Sequence, residues 1–199
     1  MEPPGVALPM LGYGLAATEP AETAEAVRLL SLAKSGDAAA FEALVRIYEI
    51  RVARTALRLL GARQDAQDAA QEVFLRLYQR ISRIDSAGSL SGWLYRVTVN
   101  VSYDILRRRR SSGVVPLEEA RLAVESSAEA DLGREQQRRL VVKALRTLPE
   151  KERAALTLRD IEGLSTREVA TILGSSEATV RSQISTARLK IRKMLRRRL

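Results

Sequence analysis

The side chains best suited to reading a nucleic acid lie together near the C-terminus. Arg181, Ser182, Gln183, Ser185 and Thr186 fall within six residues, and Arg188 and Lys190 follow. Arg and Gln can present two hydrogen-bonding atoms to one base edge, hydroxyls serve either as donor or acceptor, and the further cations neutralise phosphates. No Asp or Glu follows Glu177, while Arg192, Lys193, Arg196, Arg197 and Arg198 extend the positive run. Such chemistry needs a rigid carrier that fits the major groove, and the preceding residues supply one. Ser165 suits a helix N-cap, and Glu168, three residues on, can return a bond to the cap amide. Leu164 and Val169 occupy the staple positions around that cap. Gly174 can adopt the left-handed conformation that ends the helix, and Ser175 or Ser176 can cap the next. Val169, Ala170 and Leu173 form one apolar stripe; Val180, Ile184 and Ala187 form another. Facing stripes across a Gly-containing turn predict a helix-turn-helix whose second helix enters duplex DNA. An αα-hairpin with a solvated basic face would explain the cations. It would not explain a capping box, turn glycine and second cap in register.

Composition narrows the rest. The chain has 199 residues, room for one domain or two small ones, and a net charge of +9 that favours a polyanionic partner. It contains no Cys and no His, which removes disulfides, thiolate metal sites, and the commonest general base and zinc ligand. No convergent nucleophile or acid–base set is visible, so neither an enzyme nor a cofactor or metal site is expected. No apolar run is long enough to span a bilayer. The N-terminus lacks a basic region and is interrupted by Pro3, Pro4, Pro9 and Pro20, unlike a signal peptide. A cytoplasmic protein without membrane insertion is expected.

Apolar periodicity predicts an all-α fold of two small helical domains joined by a flexible acidic linker. Residues 1–22, rich in Pro, Gly and Ala, read as a disordered extension. The first domain spans 23–110. A short helix over about 24–34 precedes a long one capped by Asp37, with Phe41, Leu44, Val45, Tyr48 and Val52 along one side. Asp65 can cap a third helix, about 66–81, with Ala69, Val73 and Leu77 inward. A polar loop over 82–89 leads to a fourth helix, about 90–110, whose apolar side is Leu90, Trp93, Leu94, Val97, Val101 and Ile105. Residues 111–133 form the linker; over 111–135 six carboxylates face two arginines, a net −4. The second domain, 134–199, holds a helix ending at Leu148-Pro149, another over about 150–161, and the helix-turn-helix.

The fourth helix carries Arg96, Asn100, Tyr103, Arg107 and Arg108 on its other side. Cations at a helix C-terminus complement its dipole. The same set, with a polar loop ahead of it, also suits single-stranded DNA, where cations track the backbone and aromatics stack on bases. Both readings stand on composition. The third helix offers Asp68, Gln71, Glu72, Arg76 and Gln79, either a solvated face with i,i+4 pairing or a dock for a protein.

Three stretches together resemble one family. Asp68-Ala-Ala-Gln71-Glu72-Val-Phe74-Leu-Arg76-Leu resembles the core-polymerase-binding helix of bacterial RNA polymerase sigma factors. Ser91-Gly-Trp93-Leu94-Tyr95-Arg96-Val-Thr-Val-Asn100, continuing to Arg107-Arg108-Arg109-Arg110, is similar to the family's helix for promoter melting and −10 reading. Leu148-Pro149-Glu150 through Arg188 is similar to its −35-binding domain. The short acidic tether, with no folded domain in it, matches the extracytoplasmic-function (ECF) class.

The resemblance implies a transcription initiation factor that binds core RNA polymerase and directs it to promoter DNA. Asp68, Gln71, Glu72, Phe74 and Arg76 would face the clamp of the largest polymerase subunit. Ser89 in the 82–91 loop, with Arg96, Asn100, Tyr103, Arg107 and Arg108, would hold the unpaired −10 strand. Arg181, Ser182, Gln183, Ser185 and Thr186 would read −35 bases, with Arg188 and Lys190 on phosphates. A second polymerase subunit would contact the −35 domain, and an anti-sigma factor would hold the protein inactive. The 23 residues of the linker reach at most ~75 Å, enough for promoter elements about two helical turns apart at ~34–36 Å per turn. The alternative is a LuxR-type helix-turn-helix regulator acting on duplex DNA alone, which accounts for 164–189 but not for 68–110. A helical adaptor without any transcription role is a third reading.

Overall fold

A computed structural model describes residues 20–85, 87–111 and 139–196, with side chains placed for 24–85, 90–111 and 139–194. The expected linker beyond Ser111 and most of the expected N-terminal extension lie outside the described residues. Every regular element among the described residues is helical: α1 (Pro20–Lys34), α2 (Ala38–Leu60), α3 (Arg63–Arg80), a 3₁₀ turn (Ile81–Arg83), α4 (Ala87–Ser111), α5 (139–146), α6 (Glu150–Leu156) running into a π-helical turn (Thr157–Ile161), α7 (Thr166–Leu173) and α8 (Glu177–Arg196).

Local signals set most boundaries. The Asp37 carboxylate accepts a bond from the Ala40 amide and so caps α2. Gly61 ends α2 with φ of 75°, a left-handed conformation that glycine adopts without steric cost. Three expectations shift. Helix α1 begins at Pro20, inside the stretch read as an extension. Helix α3 starts at Arg63 rather than after Asp65, and its N-cap, Ala62, makes no side-chain cap bond. Asp65 instead sits in the first turn and pairs with Arg109 of α4, so a tertiary ion pair claims the carboxylate that looked like a cap. The expected 82–89 loop is shorter, because Ile84 is buried and α4 already begins at Ala87.

The first module packs α1 to α4 around one core. Leu44, Tyr48 and Val52 of α2, Ala69, Val73 and Leu77 of α3, and Leu90, Leu94, Val97 and Val101 of α4 are all buried, with Leu29 and Leu30 of α1. Phe41, Phe74, Trp93 and Ile105 are half-buried against it. The second module buries Leu145 and Leu148, Ala154 to Leu156, Leu158, Val169 and Ala170, and Val180, Ile184, Ala187 and Ile191.

That second core does not stop at the module boundary. Leu59 of α2 and Tyr95 and Val99 of α4 belong to it, and half-buried Tyr103 packs on it. Helix α4 therefore has two apolar faces. One faces its own bundle; the other, at Tyr95, Val99 and Tyr103, is covered by the C-terminal module. The side read as carrying Arg96, Asn100, Tyr103, Arg107 and Arg108 is thus flanked by an apolar strip that the sequence reading did not include.

Leu77 is fully buried where α3 meets the bundle. Leu77→Ala is expected to destabilise the N-terminal module by roughly 2–5 kcal/mol, since it leaves a cavity in a closed core. Denaturant unfolding followed by circular dichroism measures it; a loss below that range would mean the core collapses around the gap.

Candidate nucleic-acid interface

The helix-turn-helix forms as its residues dictate. The Glu168 amide donates to Ser165 Oγ at 3.2 Å, and the Ser165 amide donates to Glu168 Oε2 at 2.7 Å, closing the capping box. Gly174 takes φ of 59° and its amide bonds back to Ala170 O. Between the two candidate caps for α8 the structure selects Ser176, whose Oγ accepts from the Thr179 amide at 3.1 Å. Val180, Ile184 and Ala187 point into the core, which turns the intervening residues of α8 outward.

The outward face carries Arg181, Ser182, Ser185 and Thr186, all exposed. Arg181 is lightly tied to Glu177, one turn back, at 3.3 Å. Gln183 departs from expectation: it is only half-exposed, and its Oε1 is buried without a hydrogen-bond partner among the described residues. Its position, one residue before the core position Ile184, swings it toward the flank of the helix.

Arg188 and Lys190 are held more firmly than an acid-free helix suggested. Asp160 accepts from Arg188 Nε at 2.8 Å and Nη2 at 2.7 Å, a two-point contact that raises the guanidinium pKa. Glu152 accepts from Lys190 Nζ at 2.7 and 2.9 Å. Both acids come from α6 and its π turn. Sequence inspection missed them because they lie 28 and 38 residues away along the chain. Two cations assigned to phosphates thus also brace α8 against α6.

The second candidate surface runs along α4. Asn100, Arg107 and Arg108 are exposed, and Arg107 pairs with Asp104 at 2.7 Å. The Arg96 guanidinium donates to Thr171 O of α7 at 3.1 Å. Tyr103 donates its hydroxyl to Glu150 O at 3.4 Å, and burial with Glu150 nearby pushes its pKa up to about 12. Arg110 pairs with Glu150 as well. Ser89 lies in the first turn of α4, and its side chain is outside the described residues.

On α3, Asp68 and Gln71 are exposed, and Asp68 accepts from Gln64 at 3.1 Å. Glu72 and Arg76 form the expected i,i+4 pair at 2.7 Å. Phe74 packs on the bundle core rather than projecting freely. Exposed Leu75 and Tyr78 lie beside this set, and Tyr78 meets Phe41 edge-to-face at 5.3 Å. The sequence reading passed over both; two large apolar side chains in a polar helix face were the available signal.

Among the described residues no group of His, Cys, Asp or Glu is arranged to hold a metal ion. No helix there is long and apolar enough to cross a membrane.

Two helical modules, one with a capped helix-turn-helix bearing outward donors and one with a basic helix ending in four arginines, define a DNA-binding protein of transcription. The Sigma-70 region 2 family matches residues 44–112, and the Sigma-70 region 4 family matches residues 138–191. The ECF RNA polymerase sigma factor SigE of Mycolicibacterium smegmatis is 37% identical over 172 residues, which are 81% of this chain and 65% of SigE. The RNA polymerase sigma-H factor of Pseudomonas aeruginosa is 34% identical over 179 residues, covering 84% of this chain and 92% of that protein. The solved structure of CnrH in complex with the cytosolic domain of CnrY superposes with a TM-score of 0.63 at 26% identity, over 86% of this chain and 97% of CnrH. The chain belongs to the ECF RNA polymerase sigma factors and is a transcription initiation factor. The LuxR-type alternative has no counterpart for the region 2 match.

The capping box links stability to pH. Hydrogen bonds from the Ser165 hydroxyl and backbone hold the Glu168 carboxyl below its ordinary 4.5. A depressed folded-state pKa contributes stability that is present above the unfolded value and lost as pH falls through the folded one. Ser165→Ala is expected to cost about 1 kcal/mol at neutral pH and to flatten the acid limb of the stability profile. Parallel acid limbs in the two proteins, read from thermal melts, would show that the box does not set that dependence.

Proposed function

We propose that each module performs one half of promoter recognition, on the residues described above. The region 4 module docks α8 in the major groove of the −35 element, where Arg181, Ser182, Ser185 and Thr186 meet base edges. Gln183 reaches a base only if its half-buried side chain turns outward. Arg188 and Lys190 contact phosphates from positions already fixed by Asp160 and Glu152. A pre-oriented cation loses less side-chain freedom on binding, which favours the complex.

The region 2 module takes the unpaired −10 strand. Asn100 offers an amide to an exposed base edge, Arg96, Arg107 and Arg108 follow the backbone, and Tyr103 supplies an aromatic face. Ser89 belongs to the same set by its place at the start of α4. Asp68, Gln71, Glu72 and Arg76, with Phe74 beneath them, form the dock for the clamp of core RNA polymerase. The polar pair Glu72–Arg76 sits beside exposed Leu75 and Tyr78, and such a mixed surface suits a protein rather than a phosphate backbone. The linker that follows Ser111 spans the distance between the two promoter elements.

The protein works on DNA in the cytoplasm and carries no catalytic site of its own. Its third partner is an anti-sigma factor, in keeping with CnrH having been solved in complex with another protein. The observation that carries the whole reading is the order of the matches, region 2 then region 4 in one chain, with donors exposed on α8 where region 4 would meet DNA.

Run-off transcription with core polymerase tests it directly: the full chain should confer initiation on a restricted promoter set, and no gain over core enzyme alone would overturn it. Arg181→Ala is expected to cost about 1–3 kcal/mol at one −35 position; equal loss on all sequences would make it a phosphate contact. Asn100→Ala should impair strand opening, read by permanganate footprinting, more than −35 duplex binding. Equal losses in both would refute the strand-reading assignment.

A further inference from the structure

We propose that Asp160 and Glu152, two carboxylates that would themselves repel a phosphate, set the sequence discrimination of −35 reading by fixing the roll of α8 in the groove. This deepens the assignment of α8 to the −35 element and rests on it.

The two acids brace opposite flanks of the helix. Arg188 and Lys190 lie two positions apart in the chain, so at about 100° per residue they point ~200° apart around α8. Asp160, from the π turn, holds the first; Glu152, from α6, holds the second. The carboxylates are largely sunk into the module, with side chains 14% and 16% exposed, while each cation is 44% exposed. The arc between the flanks carries Arg181, Ser185, Ser182 and Thr186, all exposed. The proposed base readers thus sit between two tethered cations.

The tethers also restrict direction. A guanidinium has five N–H donors and an ammonium three. Asp160 takes the Nε and Nη2 edge of Arg188, at 2.8 and 2.7 Å, which leaves Nη1 for a phosphate. Glu152 engages Lys190 Nζ with both oxygens, at 2.7 and 2.9 Å. Each brace turns a swinging charge into a donor aimed at one place. Phosphate contacts set register and orientation, and base contacts specify. Gripping both walls of the groove through fixed cations selects one roll angle, and a rotation of about 100° would exchange the base-facing side chains for their neighbours. Arg192 and Lys193, further along α8, are exposed and have no ion pair among the described residues. Such cations attract any duplex and set no register.

Charge and positioning predict opposite outcomes. Removing an acid beside a polyanion strengthens binding to every sequence. Removing a positioning acid lowers the preference for the right sequence. Holoenzyme assembled from core polymerase and the full chain is offered promoters with a randomised −35 element, and bound DNA is sequenced. Asp160→Asn and Glu152→Gln, both nearly isosteric, are each expected to reduce the ratio of preferred to average sequence on the order of tenfold, about the worth of one base contact. Affinity for the average sequence should hold or rise. Arg188→Lys keeps the charge but loses the two-point contact, so it should lose the same discrimination. Combining it with Asp160→Asn should cost no more than either change alone, because both act through one contact. If Asp160→Asn loses helix content by circular dichroism, Glu152→Gln on the other flank carries the test. An unchanged ratio in the folded variants, whether overall affinity rises or falls, overturns the proposal. The −35 assignment fails separately, if Arg181→Ala with both acids intact weakens all sequences equally.

Discussion

A single buried carboxylate ties this molecule together. Among the described residues the Glu162 carboxylate is satisfied from the other module, by a hydroxyl, a guanidinium and a phenol. Removing any of these groups leaves a desolvated polar atom or charge unpaired, which costs far more than an exposed contact would. The position of one module against the other is therefore specified chemically, through a polar cluster of fixed geometry, as well as by apolar area.

The π turn makes that cluster possible. Widening the helix over Thr157–Ile161 lets the Glu162 amide bond Thr157 O and the Leu164 amide bond Leu158 O. One turn then serves two directions. Asp160 reaches α8 and fixes Arg188, while Glu162 reaches α2 and α4 of the other module. The brace on α8 and the intermodule contact are adjacent in the chain, at Asp160 and Glu162. A force that moves one has a short path to the other.

The two helices proposed to face DNA differ in how they are buried. Helix α8 is packed on one side only, along Val180, Ile184, Ala187 and Ile191, so its opposite face is permanently presented. Helix α4 is packed on two sides, and Arg96, Asn100, Arg107, Arg108 and Arg110 remain exposed along it.

The helix-turn-helix was legible in residues 164–189 because its determinants are local: a capping box four residues long, a glycine at the turn and apolar stripes at helical spacing all act within one or two turns of the backbone. The bundle positions Leu44, Val73, Leu77, Leu94 and Val101 were legible for the same reason, since periodicity reports which face is inward. Asp65 misled because a first-turn carboxylate looks the same whether it caps its own helix or pairs with a distant arginine. The second apolar face of α4 left a trace, since Tyr95, Val99 and Tyr103 recur every four residues, but spacing does not say what covers it; the socket around Glu162 and the bracing of Arg188 and Lys190 by Asp160 and Glu152 left none. Sequence alone determined which segments are helices, which face of each turns inward and which family the chain joins, because short-range sterics and periodic burial are written locally. Only the tertiary structure decided what the modules do to each other, because a buried charge takes its partners from wherever the chain brings them, in this case 67 to 107 residues away.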